Sequence, residues 1–150
     1  MRGPLCVDAS LAAKWLAYEP GTAEALALLD ALDRAAELWA PELLWIECAN
    51  ALRHKVEAGE IAVADASSSL AGLMSSDIRT LCCSEVAEEA LAVALYTGLS
   101  TWDATYIVTA RRVGAELWTA DRQMESRGRR AYGNVRLLTW ADTDDPEVAT

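Results

Sequence analysis

Four acidic residues, Asp8, Glu47, Asp103 and Asp121, stand at positions from which they could share a metal ion. Asp8 follows the apolar run LCV (5–7) and Asp121 follows LWTA (117–120), so each is expected just past the carboxyl end of a β-strand. Oxygen ligands without Cys or His favour a hard divalent cation, Mg²⁺ or Mn²⁺. Such a cation polarises a phosphate and lowers the pKa of a bound water, which is chemistry suited to phosphate esters.

Three of these acids also have an ordinary structural explanation. Asp8 and Asp121 suit the N-cap of a following helix or a turn. Asp103 lies in the first turn of a predicted helix, and Ser100-x-x-Asp103 resembles a capping box with Asp in place of Glu or Gln. An acid in that turn also favours the helix dipole. The local sequence leaves both explanations open.

Glu47 is harder to explain by local structure. It lies within a predicted helix, one turn from Leu44 and one turn from Ala51, and so shares their apolar face. A carboxylate on such a face destabilises the fold unless it is paired or bound to a cation. His54, seven residues further on, lies on a similar face and is a candidate partner. The pattern favours a functional role for Glu47 over a structural ion pair.

The elements that must position these acids alternate along the chain. Strands are predicted at 5–7, 38–40, 78–83, 115–119 and 135–138, and helices at 22–36, 41–59, 62–74, 84–96 and 101–113. Pro41 is expected at the first position of its helix, and Gly98 and Gly114 at the ends of two others. Strands separated by helices predict a three-layer α/β/α fold around a mostly parallel sheet of about five strands. The functional crevice of such a sheet lies at the carboxyl ends of its strands.

Composition narrows the class of protein. The 150 residues, 53% of them hydrophobic, suit one domain, predicted at 1–141, followed by a flexible acidic tail at 142–150. No run approaches the roughly 20 apolar residues of a membrane helix, and the start lacks a signal-peptide h-region. The four cysteines lie in apolar runs and are expected to be free, so we predict a cytoplasmic protein without a membrane partner.

The net charge of −10 is unfavourable for capturing nucleic acid at long range. One explanation is that the acids concentrate at a metal site. Another is that the tightest partner is a basic protein. The third is that the charge only keeps the protein in solution.

Four short segments then carry a resemblance to a known family. They are VDAS (7–10), IECANAL (46–52), WDATY (102–106) and TADR (119–122). In this order and spacing they resemble the four acidic motifs of PIN-domain proteins, and most of all those of the VapC toxins. The resemblance covers roughly residues 5–138, and the ordered set is more specific than any single motif.

The resemblance implies a PIN-like fold and Mg²⁺-dependent hydrolysis of RNA, with Mn²⁺ as a second possible ion. It implies that Asp8, Glu47, Asp103 and Asp121 are the metal-binding catalytic acids. The supporting residues are Ser10, beside Asp8, and Thr119, beside Asp121. It also implies a homodimer and inhibition by a small antitoxin whose basic segment blocks the site. Trp102 stands where family members more often carry another residue.

Basic residues follow the last acidic motif at 122, 127, 129 and 130. They are candidates for RNA contacts, with Arg122 nearest the site, or else they form a solvated loop. Trp102 is a second candidate RNA contact, by base stacking.

Three other functions remain open from sequence. The first is a PIN-domain nuclease of RNA processing without an antitoxin. The second is a metal-binding receiver-like domain, which is less similar because it needs a lysine near its last strands, whereas the only lysines here are Lys14 and Lys55. The third is a catalytically silent interaction module. Nucleotide-binding glycine motifs are absent from the sequence.

Overall fold

The computed structural model describes residues 3–32 and 36–141. Within them the chain forms five strands and seven helices. In chain order these are β1 (Leu5–Val7), α1 (Ala9–Leu16), α2 (Thr22–Asp30), β2 (Leu38–Pro41), α3 (Leu43–Glu57), α4 (Val63–Met74), β3 (Ile78–Leu81), α5 (Cys83–Thr97), α6 (Thr101–Val113), β4 (Glu116–Thr119), α7 (Arg122–Gly128) and β5 (Val135–Leu137).

The five strands form one parallel sheet in the order β3-β2-β1-β4-β5. From β1 the chain builds outward on one side through β2 and β3, and then returns to the other side of β1 with β4. The strand order therefore reverses between β1 and β4, which is where parallel α/β sheets place their ligand crevice. Val7 is in register with Trp118, so Asp8 and Thr119 both lie at this switch point.

Both faces of the sheet are covered, because successive side chains of β1 point into different core clusters. Leu5 and Val7 point to a cluster that includes Leu28 of α2. Cys6 points the other way, into the larger cluster that includes Ile107 of α6. Residues two apart share a face in a strand, so three consecutive buried residues fill both layers. The predicted α/β/α architecture with a five-stranded parallel sheet is confirmed.

Several predicted boundaries were wrong. Pro41 does not open a helix but ends β2, and the N–H of Glu42 donates to Leu81 O at 2.9 Å. The helix predicted over 22–36 ends at Asp30, although residues 33–35 lie outside the described part. The strand predicted over 78–83 stops at Leu81, because Cys82 caps α5. The predicted tail at 142–150 also lies outside the described residues.

Helix α7 was not predicted as an element. Its sequence, RQMESRG, contains one apolar residue that is buried, Met124, so it shows no hydrophobic periodicity. Asp121 starts the helix by accepting hydrogen bonds from the N–H groups of Gln123 and Met124. The basic run that follows Asp121 is therefore helical at 122–128 and not a loop.

Candidate active site

Asp8 lies at the centre of a hydrogen-bond network that joins the ends of β1 and β4. It is 4% exposed and caps α1, with Oδ1 accepting from Leu11 N at 3.0 Å. The Ser10 hydroxyl lies 2.8 Å from both carboxylate oxygens, and the Thr119 hydroxyl donates to Oδ2 at 2.6 Å. Thr119 Oγ1 also accepts from the Asp121 N–H at 3.0 Å. Two hydroxyls thus hold the carboxylate, but no cationic side chain among the described residues pairs with it.

Burial makes the charge on Asp8 costly. It raises the pKa of this carboxyl to about 6, although the bonds from Thr119, Ser10 and Leu11 lower it, and the charge of Asp121 raises it further. A carboxylate that is buried, ionised at neutral pH and without a positive neighbour is a group whose charge a bound cation would compensate.

Asp121 is exposed and lies just beyond β4. Its Oδ1 accepts from Gln123 N at 2.7 Å and from Met124 N at 3.2 Å, which is the expected N-cap arrangement. Within the described chain its Oδ2 accepts no hydrogen bond. The capping explanation is therefore correct, and it leaves one oxygen available for a ligand.

Glu47 projects from α3 and is only partly buried. The Tyr106 hydroxyl donates a short hydrogen bond to Glu47 Oε2. Burial raises the pKa of Glu47, the bond from Tyr106 lowers it, and the charge of nearby Asp103 raises it. The prediction that His54 is the partner of Glu47 was wrong. Its exposed ring lies 3.4 Å from Asn50 Nδ2.

Asp103 occupies the first turn of α6, where Ser100 is the N-cap. Ser100 Oγ accepts from Asp103 N at 3.1 Å and donates to Asp103 Oδ2 at 2.7 Å. Ser100 thus caps the helix as predicted, but the Asp103 carboxylate accepts from the Ser100 hydroxyl. The charge of Asp103 contributes to the raised pKa of Glu47.

A cleft of about 750 Å³ brings these elements together. Ser10, Glu47, Trp102 and Asp121 are among the residues that line it, and Asp8 accepts a hydrogen bond from Ser10. Asp8 and Asp103 do not themselves line the cleft, but the charge of Asp103 raises the pKa of Glu47 and the charge of Asp121 raises the pKa of Asp8. Among the described residues, no three His, Cys, Asp or Glu side chains are close enough to hold one ion. Protein donors occupy several of the carboxylate oxygens instead.

The donor set nevertheless fits a hard cation. All four candidate ligands are carboxylates, and none of the described cysteines or the single histidine contacts them through a hydrogen bond. Two of the acids have raised pKa values because of burial and a neighbouring like charge. Binding of Mg²⁺ or Mn²⁺ by these oxygen ligands would reduce the repulsion between their negative charges.

Lys14 and Glu19, which also line the cleft, belong to an ion-pair cluster that the sequence did not reveal. Buried Lys14 donates to Glu19 Oε1 at 3.0 Å and to Pro20 O at 2.6 Å, and its Nζ lies 4.3 Å from the ring centre of Trp140. Lys55 pairs with the same Glu19 at 2.9 Å. Burial raises the pKa of Glu19, but the hydrogen bonds from Lys55 and Lys14 outweigh it and lower the pKa. Lys55 also pairs with Glu60 at 3.3 Å, so each lysine has at least one carboxylate partner.

Tyr106 is the residue of the site to which the sequence analysis assigned no role. It is 1% exposed, and burial raises the pKa of its hydroxyl, as does the charge of Glu47. A signal was present, because Tyr106 lies three residues after Asp103 within the WDATY segment. A buried tyrosine requires a hydrogen-bond acceptor, and the nearest unpaired acid on a facing helix is the natural one.

Comparison with known proteins identifies the family of the chain. The model of the PIN domain matches residues 5–129. Ribonuclease VapC3 of Pyrobaculum aerophilum is 32% identical over 122 residues, which cover 80% of this chain and 91% of the relative.

Two solved structures share the fold. PAE2754 of Pyrobaculum aerophilum has a TM-score of 0.60 and 27% identity, covering 88% of this chain and 82% of that chain. VapC20 of Mycobacterium tuberculosis, a sarcin–ricin loop cleaving toxin, has a TM-score of 0.68, covering 83% and 95%. The identity to VapC20 is 17%, so this likeness concerns the fold alone.

Proposed function

Because the chain belongs to the PIN-domain family and resembles a VapC ribonuclease within it, we propose that it is a divalent-metal-dependent endoribonuclease whose active site is this cleft. One observation carries the proposal. Carboxylates distant in sequence, Glu47 and Asp121, line a single cleft, and buried Asp8, whose pKa is raised, accepts a hydrogen bond from Ser10 of the same cleft.

We assign metal binding to Asp8, Glu47, Asp103 and Asp121, with Mg²⁺ as the ion and Mn²⁺ as an alternative. When bound, the ion polarises a phosphate oxygen and lowers the pKa of a coordinated water. Ser10 and Thr119 orient Asp8 by donating to its two oxygens. No histidine base is needed, and hydrolysis should leave a 5′-phosphate and a 3′-hydroxyl.

Two residues are proposed to contact the RNA beside the acids. Trp102 lines the cleft with 64% of its surface exposed, so a base could stack on its ring. Ile46, 71% exposed, lines the same cleft and extends this apolar side. Arg122 is exposed and directly follows Asp121, where a cation could hold a phosphate next to the acids.

We further propose that the protein is the toxin of a VapBC-like pair. The net charge of −10 favours a small antitoxin with a basic segment over long-range RNA capture. A homodimer is proposed from the family resemblance. A cytoplasmic location is proposed because all four cysteines are free. No helix in the described part of the chain is long and apolar enough to span a bilayer.

The decisive experiment is RNA cleavage by purified protein after removal of metal, with Mg²⁺ or Mn²⁺ added back. Asp8→Asn and Asp103→Asn should reduce cleavage at least about 100-fold while retaining the circular dichroism of the wild type. Asp65→Asn, an exposed acid on α4, is the matched control and should cleave normally. A folded Asp8→Asn protein that cleaves at the wild-type rate would refute the assignment.

Two further measurements test the finer claims. Trp102→Ala should weaken RNA binding about tenfold, because stacking on the indole is lost. Induced expression of the wild type should arrest growth, and co-expression of the adjacent small open reading frame should relieve it. Cleavage without growth arrest would favour RNA processing over a toxin. Stabilisation by Mg²⁺ without cleavage of any RNA would favour a silent module.

A further inference from the structure

The salt bridges of this acidic protein are unevenly distributed. Among the lysines and arginines that the structure describes, eight lie within 4 Å of a Glu carboxylate. Three have no such partner: Arg122, Arg127 and Arg130. All three belong to α7 or follow it by two residues, so the cations without an acidic partner occupy one short segment next to Asp121.

Arg127 has a structural use. Its guanidinium donates to Gly98 O at 2.9 Å and so ties α7 to the turn between α5 and α6. Gly98 has a φ of 75° and ends α5, two residues before the N-cap of α6. This bond fixes α7 beside the helix that carries Trp102 and Asp103. Arg122 and Arg130 are not used in this way.

Arg130 lies against an exposed aromatic ring. Its guanidinium carbon is 5.1 Å from the ring centre of Tyr96, which is 60% exposed. No acceptor among the described residues is bonded to the guanidinium. Stacking on a ring restrains the guanidinium while its N–H groups stay available to an anion. The pair therefore offers a restrained cation and an adjacent aromatic surface.

We infer that Arg122, Arg130 and Tyr96 form a binding track for single-stranded RNA outside the cleft. The inference rests on the proposed function and deepens it. Arg122 begins α7 and Arg130 follows its last residue by two, and the helical rise over 122–128 is roughly 9 Å, so the two arginines can reach different phosphates of one strand. Arg122 adjoins the cleft through Asp121, so a strand leaving the site can follow α7. Tyr96 offers a base the same kind of stacking platform as Trp102.

Charge and chemistry favour RNA over an acidic peptide on this surface. Both are attracted by arginines, and both are repelled at long range by the net charge of −10. Only nucleic acid also uses an aromatic ring as a stacking surface beside a phosphate contact. The track also continues a cleft whose proposed substrate is RNA.

The test measures binding of fluorescein-labelled single-stranded RNA by anisotropy, in EDTA so that no cleavage occurs. Oligonucleotides of six and sixteen nucleotides are compared at several salt concentrations. Arg130→Gln should weaken binding of the longer RNA about five- to tenfold and reduce the salt slope by about 0.7, the value for one phosphate contact on a single strand. Tyr96→Ala should weaken it by about tenfold.

Arg112→Gln is the matched control, because it changes the net charge equally. Arg112 is held by Glu89 on the α5–α6 surface, and its replacement should alter binding less than twofold. Equal losses for Arg130→Gln and Arg112→Gln would overturn the track and indicate a net-charge effect. So would wild-type binding that is independent of RNA length, or absent. If polyglutamate displaces the RNA and Tyr96→Ala binds RNA as the wild type does, the proposed RNA track is wrong and an acidic peptide is the ligand of this surface.

Failure of the track and failure of the proposed function are distinguishable. Metal-dependent cleavage with unchanged binding in both variants would remove the track and retain the nuclease. Length-dependent binding that needs Arg130 and Tyr96, without cleavage by the metal-loaded wild type, would retain the track and remove the nuclease.

Discussion

Asp8→Asn should change stability as well as activity, in a manner that depends on pH. In the metal-free protein burial raises the pKa of this carboxyl to about 6 from an ordinary value of 3.8, and no cationic side chain of residues 3–32 and 36–141 pairs with it. Each pKa unit corresponds to about 1.4 kcal/mol. Once Asp8 is ionised in both states, its charge therefore lowers the free energy of unfolding by about 3 kcal/mol.

The direction follows from proton binding. Between pH 3.8 and about 6 the folded protein binds more protons at Asp8 than the unfolded chain. The contribution of this group to the free energy of unfolding therefore falls as pH rises through that window, and is constant above it. Asparagine is uncharged throughout. The stability of the variant relative to the wild type should rise by about 1.4 kcal/mol between pH 5.0 and 7.5.

A constant loss offsets part of this gain. The asparagine amide nitrogen cannot accept from the Thr119 hydroxyl as Asp8 Oδ2 does, which costs about 1–2 kcal/mol at every pH. At pH 7.5 the metal-free variant should still be more stable than the wild type, by about 1 kcal/mol. If replacing this proposed metal ligand stabilises the protein, the charges of the site are arranged for binding a ligand and not for stability.

Urea unfolding in EDTA, followed by the fluorescence of the six tryptophans, measures both curves across this pH range. Subtracting the wild-type free energy of unfolding from that of the variant at each pH removes the contribution of the other titrating groups. Adding Mg²⁺ at pH 7.5 should then stabilise the wild type and leave the variant unchanged. A stability difference that is flat or declines from pH 5.0 to 7.5 would show that burial of the Asp8 charge is not costly.

Three other substitutions test the packing around the site. Tyr106→Phe should lower the free energy of unfolding by about 1–2 kcal/mol, because Glu47 loses its buried donor, and should raise the Mn²⁺ concentration for half-saturation in calorimetric titration several-fold. An unchanged titration would restrict Tyr106 to a structural role. Gly128→Ala should destabilise by about 1–3 kcal/mol in urea, since the new methyl would lie 2.9 Å from Ile107 Cδ1. Gly72→Ala, on an exposed helix with open space around it, should stabilise by about 0.5–1 kcal/mol. Equal effects of the two glycine changes would contradict this account.

The elements that carry the site were largely predictable because their signals are local. Strand β1 is a run of apolar residues that ends at Asp8, and α6 has a serine cap, an acid in its first turn and a glycine at its end. Alternation of such elements implies a parallel sheet through chain connectivity alone. Helix α7 was missed because its one buried apolar residue, Met124, produces no periodic pattern.

The partners of the charged groups could not be predicted in this way. His54, seven residues further along the same helix, was the predicted partner of Glu47. Glu47 instead accepts a hydrogen bond from Tyr106, 59 residues away on another helix. The buried pair of Lys14 and Glu19 likewise gave no periodic signal. The pairing of Glu47 with Tyr106 depends on which helices pack together, and that of Lys14 with Glu19 on how the chain turns after α1; hydrophobic spacing encodes neither.

By itself, then, the amino-acid order determined which residues are acidic, which elements bear them and which class of sheet those elements build, because propensity, capping and polarity act over a few residues. Only the tertiary structure decided that Glu47 and Asp121 border one cleft and that, within the described part of the chain, buried Asp8 has no counter-charge and the arginines of α7 have no acidic partner. Burial, pKa and charge pairing arise between segments far apart in the chain, so they exist only once the layers have packed.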